Sequence, residues 1–123
     1  RMIVQTNNAP QAIGPYSQGV LVNGVLYTSG QVALSPEDGS VVGADIRSQT
    51  DMACRNLGAI LTEAGMSFEN VVKTTCFLSD MADFVPFNEV YANYFVSKPA
   101  RSCVAVKALP KGVLCEIEAV AVK

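Results

Sequence analysis

Only two residues, Asn23-Gly24, separate the β-rich runs Val20-Leu21-Val22 and Val25-Leu26-Tyr27-Thr28-Ser29, and that spacing leaves the chain little choice. A two-residue connection of this kind closes as a type I′ hairpin, which needs positive φ at both central positions. Asn and Gly accept that backbone more readily than other residues. An antiparallel pair is therefore set early, and the later elements must be laid against it. The second of these runs ends at Ser29-Gly30-Gln31, where glycine allows a ligand close to the backbone. A plain strand terminus is the other reading of Ser29-Gly30 from pattern alone.

Met2-Ile3-Val4 predicts a short first strand. After it, Asn7-Asn8-Ala9-Pro10 and Ile13-Gly14-Pro15-Tyr16-Ser17 make a long irregular segment of the sort that often carries function. Ser35-Pro36-Glu37-Asp38-Gly39 predicts a surface turn. A helix follows, with Asp45 as N-cap and Gly65 as its stop. Ile46, Thr50, Ala53, Leu57, Ile60, Leu61 and Ala64 recur at helical spacing as its buried face, leaving Arg47, Asp51, Arg55 and Glu63 mostly outside.

Val71 to Leu78 is β-branched and strand-like, and Asp80 is placed to cap a second helix. Phe84, Phe87, Tyr91, Tyr94 and Phe95 form that helix's aromatic stripe, which reads as core rather than as a cofactor site. Asn88 lies at the stripe's edge, where its amide faces either a cleft or solvent. Ser97-Lys98-Pro99 ends the helix, and Leu109-Pro110-Lys111-Gly112 breaks the two closing strands. The order β, β, β, α, β, α, β, β predicts one α+β domain over residues 1–123, with about six strands in a sheet and two helices covering one face.

Half of the 123 residues are hydrophobic and 16% are charged, a rich balance for so short a chain. It predicts that other subunits cover part of the apolar surface, a well-packed monomer being the alternative. A formal net charge of −2 offers no basic footprint for phosphates, so nucleic-acid binding is disfavoured. No apolar run approaches the ~20 residues of a membrane span, and the N-terminus lacks the order of a signal peptide. The expectation is a soluble cytoplasmic protein, or an organellar one if a transit peptide has been removed. Cys54, Cys76, Cys103 and Cys115 form no Cys-x-x-Cys pair and read as buried thiols. Without histidine a zinc site is disfavoured, and a histidine-activated Ser or Cys nucleophile is impossible within one chain.

Two closing strands carry the candidate chemistry. Pro99-Ala100-Arg101-Ser102-Cys103-Val104-Ala105-Val106 sets one guanidinium at the mouth of an apolar strand, and Cys115 to Val122 carries Glu116 and Glu118. Arginine presents a planar fork that fits a carboxylate, while an ionised glutamate accepts protons or orients water. Together they point to a small carboxylated substrate and water-based chemistry. The alternative is that Arg101 simply pairs with one of the glutamates. If the two strands were hairpin neighbours, Glu116 would lie some four residues, ~13 Å, from Arg101, too far for one small substrate. Either they are not neighbours, or a bulge or a second subunit brings the groups together.

Taken together, Ile13-Gly14-Pro15-Tyr16-Ser17-Gln18, Thr28-Ser29-Gly30-Gln31, Phe87-Asn88-Glu89-Val90-Tyr91, Pro99-Ala100-Arg101-Ser102-Cys103 and Glu116-Ile117-Glu118 resemble the Rid (YjgF-type) family over nearly the whole chain. The resemblance is to its deaminase branch, which hydrolyses 2-iminopropanoate and 2-iminobutanoate released by pyridoxal-phosphate-dependent dehydratases, a form of metabolite damage control. It implies a chorismate-mutase-like mixed sheet, a homotrimer with sheets inward and helices outward, sites between subunits and no cofactor.

Residue by residue, the resemblance gives Arg101 as the substrate-carboxylate clamp and Tyr16 and Asn88 as cleft positions. Ser29 and Gly30 match the strand end beside the ligand. Cys103 would act through its backbone, and Glu116 would handle the hydrolytic water. Hydroxyls of Tyr16 or Ser29 would assist at nitrogen or at the developing tetrahedral centre, and Glu118 is the rival to Glu116. The other readings are a non-catalytic trimeric module binding small carboxylates or proteins and, more distantly, an endoribonuclease-type translation inhibitor.

Overall fold

The computed structural model describes residues 1–123. Asn23 and Gly24 take φ of 51° and 77° and lock β2 (Gly19–Val22) to β3 (Val25–Thr28), with Val22 opposite Val25. β1 (Met2–Val4) pairs antiparallel with β2. The chain then builds α1 (Ile46–Glu63), β4 (Val71–Leu78), α2 (Phe84–Tyr94), β5 (Ala100–Ala105) and β6 (Cys115–Val122). The six strands form one mixed sheet in the order β1-β2-β3-β6-β4-β5, in which only the β4–β5 pair is parallel. The architecture is α+β, as the element order predicts.

α1 begins where Asp45 accepts the Ser48 N–H at 2.8 Å, and it stops at Gly65, whose φ is 75°. All seven residues assigned to its inner face are buried. Asp80 caps the short 3-10 turn at 81–83, accepting from Ala82 N, and not α2 itself. That turn occupies the residues between cap and helix. Both helices lie on one face of the sheet. Leu26, Cys76, Leu78, Cys115, Ile117, Ala119 and Ala121 from the sheet share a core with Leu57, Ile60 and Leu61 of α1 and Phe87 and Tyr91 of α2.

Pairing residues alternate between faces, so the opposite face carries Ile3, Tyr27, Val104, Glu116, Glu118 and Val122. No helix covers it, and Ile3 and Tyr27 are each 51% exposed. β5 and β6 are not hairpin neighbours, because β4 lies between them. The segment joining them turns at Pro110–Gly112, with Lys111 at φ 54°, and returns the chain past β4 to the middle of the sheet. No helix is long and apolar enough to cross a membrane.

Candidate functional site

Arg101 stands in register with Thr74 of β4, which in turn faces Ala119 of β6, so its side chain projects on the helix-covered face. There its Nη1 donates to Asn88 Oδ1 at 2.8 Å, from the second turn of α2. The guanidinium carbon lies 4.9 Å from the Tyr91 ring centre and 5.6 Å from that of Phe84. Such stacking contributes about 0.5–2 kcal/mol and, more usefully, fixes the plane of the fork. The Tyr91 ring is itself pinned, because its hydroxyl and Thr74 Oγ1 share a buried hydrogen bond of 2.7 Å. Burial pushes the Tyr91 hydroxyl up to about 12, so it stays protonated.

The chain's ion pairs are Arg47–Glu89 and Arg55–Asp51, and Arg101 takes part in neither. Pairing of Arg101 with a glutamate of its own chain is therefore not what this fold forms. Arg101 instead lines a cleft of about 280 Å³ with Asn88, Tyr91, Ala92, Lys98 and Pro99 among its walls.

Glu116 is opposite Phe77 of β4, on the uncovered face, with Glu118 two residues on and more exposed. Arg101 and Glu116 are thus two strands apart and three residues offset along β4, a Cα separation of ~14 Å from strand spacing and rise. Their side chains also leave opposite faces of the sheet. Burial pushes the Glu116 carboxyl above its ordinary range, and the neighbouring charge of Glu118 adds to the effect.

Gly30 is the reason that carboxylate has room. The register of β3 against β6 pairs Tyr27 with Val120, yet Gln31 faces Ile117, so one extra residue is accommodated between Thr28 and Gln31. Such a bulge re-aims the strand end and brings the Gly30 backbone onto Glu116. A Cβ at position 30 would meet the Glu116 carboxyl carbon at 2.6 Å, so only glycine fits this approach. Tyr16 and Gly30 together line a second cleft of about 260 Å³ that also includes Gln18, Gln31 and Lys111.

The two hydroxyls beside this cleft differ. Ser29 Oγ donates to the Ser17 carbonyl at 2.6 Å, so its proton is committed to holding the strand end to the loop. Tyr16 Oη accepts from Ile13 N at 3.4 Å and keeps its own proton free. Cys103 is half-buried beside Cys76, and burial raises its thiol while Arg101 opposes the rise. Its backbone is more available. Val106 N bonds to Leu78 O, and ladder alternation then turns the Cys103 N–H away from β4 toward the free edge of the sheet.

The structure therefore gathers the predicted residues into two groups. Arg101, Asn88 and Cys103 lie at the β5 edge, while Tyr16, Ser29, Gly30 and Glu116 lie at the β3–β6 side. Of the aromatic stripe read as core, Tyr91 is buried and Phe84 is half-buried against it, and both also stack on the guanidinium, which the helical spacing does not foretell. The sequence pattern assigns Gln18 no role of its own. That buried carboxamide accepts from Thr6 N at 2.7 Å and donates to Pro10 O at 2.8 Å, shaping the loop that presents Tyr16. A lone glutamine after a run of turn formers carries no signal for this. No three Cys, Asp or Glu side chains gather as a metal site would require.

Known proteins resemble this chain over nearly its whole length. The family model described as Endoribonuclease L-PSP matches residues 6–123. The chain is 48% identical over 124 residues to the human 2-iminobutanoate/2-iminopropanoate deaminase, covering 100% of this chain and 90% of that protein. Among solved structures it resembles Escherichia coli TdcF with bound serine, at TM-score 0.95 and 42% identity over 100% of this chain and 99% of that one. A Yersinia pestis Rid-family protein of unknown function gives TM-score 0.95 and 45% identity, covering 99% of this chain and 98% of that one.

Proposed function

The chain belongs to the Rid (YjgF-type) family, and from that premise we propose that it hydrolyses small 2-imino acids, with 2-iminopropanoate and 2-iminobutanoate as substrates, to 2-oxo acids and ammonia. The observation that carries the reading is Arg101. It is a permanently charged fork oriented by Asn88 and two aromatic rings, lining a cleft, with no carboxylate of its own chain to neutralise it. A relative that binds serine, which carries an α-carboxylate, supports the same assignment.

In the proposed mechanism Arg101 grips the substrate carboxylate, and the Cys103 N–H at the strand edge assists. Glu116 accepts a proton from water as its oxygen bonds to the C=N carbon, giving a carbinolamine. The proton is passed to nitrogen, with the free Tyr16 hydroxyl beside it. The C–N bond then breaks and ammonia leaves, while the hydroxyl gives its proton back to the Glu116 carboxylate and becomes the carbonyl. Protonated imines are already electrophilic, so positioning supplies most of the acceleration. The raised Glu116 carboxyl makes a better base than a fully solvated one.

Because Arg101 and Glu116 leave opposite faces of one sheet, the two groups are completed by a neighbouring copy, in a homotrimer that covers the open apolar face. A purified pyridoxal-phosphate-dependent dehydratase coupled to this protein tests the activity by the rate of 2-oxo acid appearance. Acceleration by the wild type and its loss in Arg101→Ala is the expected result. Ligand binding without acceleration would favour a non-catalytic carboxylate-binding module. Salt-sensitive RNA cleavage in its place would favour the activity named in the family description, for which a net charge of −2 and the lack of histidine offer little.

A further inference from the structure

The Arg101 cleft holds a second cation to which the proposed reaction gives no task. Lys98 lies between α2 and β5, with its backbone held at φ 56° and its N–H donating to Phe95 O at 3.1 Å. Its side chain lines the same cleft as Asn88, Tyr91 and Arg101, and none of the residues lining that cleft is an Asp or a Glu. Lys98 forms no ion pair in the chain. Lys98 and Arg101 therefore face one space of small-molecule size whose walls carry no carboxylate of their own chain.

A monocarboxylic imine uses only one of them. We infer that Lys98 is a specificity-determining residue that favours 2-imino acids bearing a second carboxylate on the side chain, the imines of aspartate and glutamate type. The inference rests on Arg101 being the α-carboxylate clamp. The chemistry is unchanged: water adds at C=N, ammonia leaves, and the distal carboxylate pairs with the Lys98 ammonium without reacting. Lys98 is exposed, so the pair is a modest one that salt screens.

The test compares kcat/KM for 2-iminosuccinate and 2-iminopropanoate, generated in situ by amino-acid oxidases, in the wild type and in Lys98→Gln, Lys98→Asn and Lys98→Arg. Asparagine tolerates positive φ and so guards against a folding artefact. Lys123→Gln, outside the cleft, controls for net charge. The ratio of dicarboxylic to monocarboxylic kcat/KM falls about fivefold in the Gln and Asn variants and is held by Arg and by Lys123→Gln; the difference shrinks at an ionic strength of about 1 M. An unchanged ratio in Lys98→Gln and Lys98→Asn, or an equal fall in Lys123→Gln, overturns the inference. Arg101→Ala, assayed beside them, separates the two ideas. If it keeps both activities the clamp itself is wrong, whereas loss of both with an unaltered Lys98 ratio removes only the role of Lys98.

Discussion

Mixing two inactive variants should restore activity, and by a calculable amount. Within one chain the Cα atoms of Arg101 and Glu116 are ~14 Å apart by strand spacing and rise, and their side chains leave opposite faces of the sheet. One small imino acid cannot touch both unless they come from different copies. Arg101→Ala removes two charge-assisted hydrogen bonds of about 1.5–3 kcal/mol each, a loss of about 10²–10⁴-fold, and leaves Glu116 intact. Glu116→Gln does the converse. Each pure variant then has every site defective. When the two are unfolded and refolded together in equal amounts, chains distribute at random. About one interface in four then joins an intact Arg101 of one copy to an intact Glu116 of the next, so about a quarter of wild-type activity returns. The readout is 2-oxo acid formation in the dehydratase-coupled assay, with native mass spectrometry confirming mixed oligomers. Mixed oligomers no more active than the mean of the two pure variants would refute the shared site.

Arg101→Lys keeps the charge but loses the fork, and should retain activity about 10–100-fold below wild type by the same kinetic assay. Arg101→Ala should cost only about 1–2 kcal/mol of stability in denaturant titration, since no carboxylate of the chain is left unpaired; global unfolding would instead mark a structural role. Gly30→Ala forces the Glu116 carboxyl out of position and should lower kcat at least about tenfold with little change in melting temperature, because a side chain yields more easily than backbone. Glu118→Gln removes the second cause of the raised Glu116 carboxyl, so the acid limb of the pH–rate profile should move to lower pH while staying above the ordinary ~4.3, burial being the larger cause. A carboxyl raised in the folded state favours folding when protonated and loses that contribution as pH rises through its folded value. Glu116→Gln should therefore be relatively more stable than wild type at neutral pH than at acid pH, as thermal melts across pH would record.

Local rules read from the sequence were enough for the pieces. Asn23-Gly24 specified the hairpin and its register, Asp45 and Gly65 bounded α1, and its apolar spacing named the buried face, because each depends on residues within a few positions of one another. Arg101 was legible as a candidate for a similar reason, since a charge at the start of an apolar strand stands out in the string. Tertiary structure alone decided that β5 joins the edge of β4 in parallel while β6 enters the middle of the sheet, which sends Arg101 and Glu116 to opposite faces. It also decided that the bulge after Thr28 lays Gly30 on Glu116 and that Thr74 pins the ring beneath the guanidinium. Those outcomes are set by pairings between residues far apart in sequence, where several registers satisfy the same apolar alternation and only packing of the whole sheet against two helices selects one.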